Sequence, residues 1–274
     1  MDDNAAGFIG SIPEEYDRGL GPIIFADYAA DLARRVAASR PSRVLETAAG
    51  TGIVTRLLRD LLPADAHLTA TDLNSPMLAV ARGKFRPDEL VEFRPADATA
   101  LPFPDGAFDA VACQFGVMFF PDKAASFREA RRVLAPGGRY LFSVWDAHAH
   151  NPFGRIVHEV AGSFFPSDPP GFHAVPFSYH RIDPVKEALE GTGFGGIRVD
   201  VVRLEKEIPS TAAFARGLVL GNPLVEQIRA RGGDPDRVVE AVVEALRREF
   251  GPDPGRMLLQ AIVFEAGRGP GAGG

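Results

Sequence analysis

The stretch Val44-Leu45-Glu46-Thr47-Ala48-Ala49-Gly50-Thr51-Gly52-Ile53-Val54 decides the fold. A short apolar strand, 43–46, enters a run of small residues, and a helix is predicted over 52–62, stopped before Pro63. Small side chains let a ligand approach the backbone. The first turn of the helix offers unpaired N–H groups at the positive end of its dipole. Two nucleotide loops are excluded. A phosphate-binding loop needs Gly-Lys-Ser/Thr, and no lysine lies here. The dinucleotide fingerprint G-x-G-x-x-G/A needs Gly or Ala at position 55, which is Thr55.

Upstream, Ile24, Tyr28, Leu32 and Val36 fall four apart and predict a helix over 22–38, while the first twenty residues are weakly patterned. Downstream, strands are predicted at 67–72 (HLTATD), 90–94, 108–113 (FDAVAC) and 139–145 (RYLFSVW). Helices are predicted from Ser75-Pro76, where the serine can cap, and over 123–134. Strand and helix thus alternate, the pattern of a parallel sheet covered on both faces. After Asp146 the rhythm breaks. Residues 147–182 are rich in His, Phe, Pro and Ser. A helix at 183–191, an alternating strand at 196–208, a helical stretch at 211–250 and a last strand at 256–265 follow. The tail from 267 to 274 has no means to pack and is expected to be disordered.

Composition narrows the function. The chain of 274 residues carries 30 Lys and Arg against 36 Asp and Glu, a formal charge of −6, and only four of the basic residues are lysines (Lys84, Lys123, Lys186 and Lys206). Without a broad positive field, neither nucleic acid nor an anionic membrane is expected as a partner. The single cysteine, Cys113, excludes an internal disulfide and a cysteine-cage zinc site. No signal peptide or apolar span is evident, so a cytoplasmic protein is expected.

Two acids follow the glycine-rich turn. Asp72 ends the second strand, 20 residues past Gly52, where a carboxylate can accept both hydroxyls of a ribose; alternatively it caps the turn before Ser75. Asp97-Ala98 follows the third strand, and a side-chain oxygen beside a backbone N–H can read the amino edge of adenine. Asp97 is otherwise a plain loop residue.

The set VLETAAGTG, TATDLNSPML, ADATALPFPDGAFDAV and FREARRVLAPGGRYLFSVWD, in that order, closely resembles the class I S-adenosylmethionine-dependent methyltransferases, nearest to the small-molecule branch with the ubiquinone/menaquinone-type enzymes. Its motifs are strong over about 20–146 and persist only as pattern over 183–266. The resemblance implies a Rossmann-like, doubly wound α/β sheet of seven mostly parallel strands, the last antiparallel. It also implies that S-adenosylmethionine is the cofactor, leaving as S-adenosylhomocysteine. It places Glu46 at the methionine end of that cofactor, Gly50 and Gly52 at its close approach, and Ala48 where the first glycine usually stands. Asp72 matches the ribose carboxylate, with Leu73 and Met77 flanking the adenine. Asp97 and Ala98 match the adenine edge, and Gln114 and Phe115 meet the methionine part and the transferring methyl.

The expected function is methyl transfer to a small, partly apolar or aromatic acceptor at O, N or C. Five of the six histidines lie in 148–180. His148 and His150 are candidate bases, and Tyr28 a candidate contact to cofactor or acceptor; each has a bland reading as a lid, surface or packing residue. Asp146-x-His148-x-His150 makes a poor metal site, because His158-Glu159 lacks the second His of H-E-x-x-H. No metal is expected. A single domain over 1–274 is expected, with a cofactor core at 20–146 and lid insertions at 147–182 and 211–250, since long insertions in compact domains are usually functional. Phe164, Phe165, Phe172, Phe177, Phe214 and Leu218 would roof an apolar pocket. The rival readings are methylation of RNA or protein, a non-catalytic binder of the same cofactor, and a nicotinamide oxidoreductase. Oligomeric state is open, a homodimer included.

Overall fold

A seven-stranded sheet in the order β3-β2-β1-β4-β5-β7-β6 organises the fold, seen in a computed structural model in which residues 7–269 are described. The strands are β1 (Arg43–Thr47), β2 (His67–Asp72), β3 (Val91–Pro95), β4 (Phe108–Gln114), β5 (Leu134–Trp145), β6 (Gly195–Ile208) and β7 (Gly255–Gly267). Strands β1 to β5 pair in parallel. Strand β7 runs the other way. Gly137 N–H donates to Arg268 O and Arg268 N–H to Gly138 O at one end of β5, while Asp146 N–H donates to Gln260 O at the other, so numbers rise along one strand as they fall along its neighbour. The expected architecture is therefore present.

The helices are α1 (Ile12–Gly19), α2 (Ala26–Ala37), α3 (Ile53–Leu61), α4 (Ser75–Arg82), α5 (Lys123–Val133), α6 (Pro152–Phe164), α7 (Ile182–Gly191), α8 (Thr211–Leu220), α9 (Leu224–Ala230) and α10 (Pro235–Phe250). Four differ from expectation. The helix predicted over 22–38 begins as a π turn, Gly21–Phe25, before α2. Helix α1 escaped the sequence pattern: its eight residues bury only Ile12 and Pro13, too few for a periodic signal. Helix α6 was hidden in the His- and Phe-rich stretch, although Phe153, Ile156, Val157 and Ala161 make its buried stripe. The start of α4 is also different in detail. Asn74, not Ser75, takes the capping position, and its side chain turns back to Asp72 instead of capping.

The chain forms two compact units. The sheet unit comprises Asp27–Val144, Arg181–Val201 and the described residues from Ile262 onward. One face of its sheet is covered by α2 and α3, where Leu32, Ala33 and Val36 meet Val54, Leu58, Val44, Leu68, Ala110 and Leu141 with almost no solvent exposure. The opposite face is aromatic. Phe127 of α5 packs on Tyr140 and Phe142 of β5, and these on Phe194 and Phe264. The helical unit comprises the described residues up to Ala26, Trp145–His180 and Val202–Ala261, and takes in 211–250 and all but the last two residues of 147–182, the segments expected as insertions. Its interior is a chain of rings: Phe8, Tyr16 and Phe25, then Trp145, Phe153, Phe177 and Phe214. Of the tail expected to be disordered, Gly267 closes β7, and positions 270–274 lie outside the described residues.

Candidate cofactor site

Strand register gathers the acids. Glu46 pairs with Ala70 and Ala112, and Gln114 pairs with Ser143. Side chains two apart on a strand share a face. Glu46, Asp72, Gln114 and Ser143 therefore all stand on the face covered by α2 and α3, at the carboxyl ends of four neighbouring strands. That rim is where open α/β sheets bind ligands.

The turn after β1 is built by left-handed backbone at Ala48 (φ 52°), Gly50 (φ 55°) and Gly52 (φ 77°). Gly52 has a second reason to lack a side chain: a Cβ there would lie 2.8 Å from the Cβ of Ala81 on α4. Ala48 carries its Cβ in a region that costs an L-residue about 1 kcal/mol.

Asp72 is 7% exposed. Its Oδ2 accepts the N–H of Gly50 at 2.9 Å, and its Oδ1 accepts the N–H of Asn74 at 2.8 Å and the Asn74 amide at 3.2 Å. The carboxylate is thus aimed and fixed by the turn. Burial raises its pKa in spite of these donors. Leu73 beside it is 64% exposed, whereas Met77 is buried against Gly50. The Ala96 N–H donates to Asp72 O and brings the end of β3 alongside. There Asp97 is exposed and holds its own turn, its Oδ1 accepting from the Thr99 N–H (2.8 Å) and hydroxyl (2.7 Å); Ala98 is half-buried.

Glu46 is 1% exposed, and the Thr55 hydroxyl donates to its Oε2 at 2.6 Å. Burial pushes its pKa up to about 8, so near neutral pH the carboxyl is mostly protonated in the ligand-free chain. Thr55 was legible only as the residue that breaks the dinucleotide fingerprint; its part in holding Glu46 needed the structure. The Ser143 hydroxyl is a second such residue. It is buried on this rim and has no hydrogen-bond partner among the described residues, an arrangement that calls for a ligand or solvent group. Phe115 follows β4 with a left-handed backbone (φ 51°) and is buried edge-on against Tyr28 of α2, their ring centres 5.6 Å apart. Tyr28 is almost fully buried, and burial raises its pKa, so it stands there as a neutral phenol.

The remaining candidates belong to the helical unit. His150 is exposed in a short turn. His148 is half-buried; its Nε2 lies 3.0 Å from His173 O, and its ring centre is 4.4 Å from that of Phe177. A carbonyl only accepts, so Nε2 carries the proton and Nδ1 the lone pair. Burial lowers the His148 pKa and favours the neutral ring. Among the described residues no three His, Cys, Asp or Glu side chains gather as metal ligands, and no helix is long and apolar enough to cross a membrane.

Residues 45–142 match the family model described as "Methyltransferase domain". The chain is 44% identical over 117 residues to a demethylmenaquinone methyltransferase of Thermus thermophilus, covering 42% of this chain and 53% of that one. It is 33% identical over 167 residues to a ubiquinone/menaquinone biosynthesis C-methyltransferase, UbiE, of Pectobacterium carotovorum, covering 56% and 64%. The chain thus spans between half and two thirds of the length of these curated relatives. A solved phosphoethanolamine N-methyltransferase 2 of Haemonchus contortus, in complex with S-adenosyl-L-methionine, shares the fold with a TM-score of 0.60 at 18% identity, over 94% of this chain and 56% of that one.

Proposed function

We propose that the protein transfers the methyl group of S-adenosylmethionine to a small, partly apolar organic acceptor. The observation that carries this reading is Asp72, a buried carboxylate held by the N–H groups of Gly50 and Asn74 on the same sheet face as Glu46. The residues fit the cofactor's chemistry. Asp72 retains lone pairs for the ribose hydroxyls, exposed Leu73 and buried Met77 offer apolar surface to adenine, and Asp97 with Ala98 lies at the next strand end for its amino edge. Glu46 and the Ser143 hydroxyl provide polar groups for the methionine end, near Gln114 and Phe115.

Bound there, S-adenosylmethionine supplies a methyl already activated on a sulfonium. The acceptor atom bonds to that carbon as the sulfur–carbon bond breaks, and the electron pair stays on sulfur. The residues' work is then to align and to exclude water, which is worth about 7–11 kcal/mol when geometry is near-ideal. His148 is our candidate base for an acceptor that must lose a proton, because its Nδ1 lone pair is fixed by the Nε2 bond to His173 O. The helical unit, with its aromatic interior, is read as the acceptor-binding part. The C-methyltransferase names of the relatives favour carbon over oxygen or nitrogen as the methylated atom.

Calorimetry with S-adenosylhomocysteine and, separately, NAD tests the donor. Binding of the first and not the second is expected, and NAD binding alone would overturn the reading. Labelled methyl incorporation into a panel of small aromatics and into bulk RNA and protein then tests the acceptor class.

A further inference from the structure

Among the described residues, three buried side-chain nitrogens of the helical unit have no hydrogen-bond partner: His158 Nδ1, His173 Nδ1 and Gln227 Nε2. Each polar group in such a position needs an explanation. Backbone neighbours set the orientations of His173 and Gln227. The Nε2 of His173, a residue 5% exposed, lies 3.3 Å from the carbonyl of Leu218 near the end of α8. The carbonyl accepts, so Nε2 is the protonated nitrogen and Nδ1 presents a lone pair. The N–H of Phe172, the residue before His173, donates to Gln227 Oε1 at 3.0 Å. That bond fixes the amide and turns its NH2 elsewhere, as a donor. An acceptor nitrogen on His173 and a donor nitrogen on Gln227 are thus linked through Phe172, which precedes His173 in the chain and whose N–H is bonded to Gln227; the Phe172 ring centre lies 5.1 Å from that of His173, and the ring centre of His148, bonded to His173 O, lies 4.4 Å from that of Phe177.

A hydroxyl carries both the donor that the His173 nitrogen lacks and the acceptor that the Gln227 nitrogen lacks, since it donates one proton and accepts with its lone pairs. A charged group does not fit. Burial holds His173 down to about 3, keeping it neutral, and among the described residues only the imidazoles of His148 and His158 act on it electrostatically. A buried ion there would have no counter-charge. We propose that His173 and Gln227 form a pair that reads an uncharged hydroxyl on the acceptor, with the surrounding rings taking its apolar body. This rests on the methyl-transfer reading for the word acceptor, but the pair's chemistry stands without it. The pair lies outside the segment, 45–142, that matches the methyltransferase family model.

The test uses the full chain with its histidine rings labelled with nitrogen-15, titrated with p-cresol and with p-xylene, in which a methyl replaces the hydroxyl. Each titration is run with and without saturating S-adenosylhomocysteine. The expected result is that p-cresol binds about 10-fold more tightly than p-xylene, as one hydroxyl bonded to buried partners predicts, and moves the His173 Nδ1 resonance. Gln227→Leu should cut the preference to about 2-fold and leave the affinity for S-adenosylhomocysteine unchanged. Equal binding of the two probes, binding of neither, or a p-cresol preference with the His173 resonance unmoved overturns the proposal. The wild-type arm holds whether or not Q227L folds. Failure to bind S-adenosylhomocysteine would instead count against the donor reading, which separates the two.

Discussion

Burial raises the pKa of both Glu46 and Asp72, and for Glu46 this fixes the sign of one expectation. A raised pKa in the folded state means that folding takes up protons. The associated stability is fully present below the unfolded value and is lost as pH rises through the folded one. For Glu46 that window runs from about 4.5 to about 8. The melting temperature of the ligand-free chain should therefore fall across this range, and Glu46→Gln should flatten that part of the profile in a pH series of thermal shifts. An unchanged slope in E46Q would place the titration elsewhere. Asp72→Ala removes the bonds to Gly50 and Asn74 and the proposed ribose contact together. A loss of about 10-fold or more in S-adenosylhomocysteine affinity is expected by calorimetry, the scale of a charge-assisted hydrogen bond. At Ala48, Gly relieves a left-handed φ, so A48G should be neutral or stabilising by up to about 1 kcal/mol. Gly52→Ala should destabilise and weaken cofactor binding, because it adds both strain and the 2.8 Å approach to Ala81. At this scale the sequence told the residue types at the rim but not their partners. Nothing in TATDLN says that the Asn74 side chain turns to Asp72, and nothing in GTGIVT says that Thr55 reaches back to Glu46. Those facts depend on which strand lies beside which.

The elements of the sheet unit were legible because each carries its own signal. The apolar runs of β1, β2 and β4 are short and bounded, and α3 and α5 have clean buried stripes. Helices α1 and α6 were missed for opposite reasons. The first is too short to show a period, and the second is crowded with Gly, His and Phe that read as loop. What makes α1 a helix of this protein is its packing. A Cβ on Gly19 would lie 2.8 Å from Gly217 Cα on α8, and one on Gly217 would lie 3.0 Å from Gly19. The two backbones touch, with no room for a side chain on either. Gly217→Val should force them apart and lower the melting temperature by several degrees, as overpacking costs about 1–3 kcal/mol. An unshifted midpoint in a thermal melt would show that α1 can move aside at no cost.

At the scale of the molecule, the sequence pointed to one domain with two insertions, and the contacts divide the chain differently. Each unit draws on three separate segments, and β6 and β7 contribute residues to both. A break in the βα rhythm after Asp146 marked where the chain leaves the sheet unit. It carried no sign that residues before α2 would join the later helices, since such a partnership lies in tertiary contacts and not in periodicity. The sequence equally could not show that the aromatics of 153–214 line a common interior, because rings far apart in the chain meet only when α6 and α8 are folded together.

The strand order has a consequence for how this chain is made. Strand β7 follows β6 in sequence yet lies between β5 and β6 in the sheet. A polypeptide emerging from the ribosome therefore reaches Ile208 with a gap where its sixth position should be, and β5 and β6 both expose unpaired edges until the last strand arrives. Unprotected edges of this kind invite pairing with other copies. Stalling synthesis at residue 254 should leave a species that sediments or binds chaperones, while release at 269 should yield a soluble one.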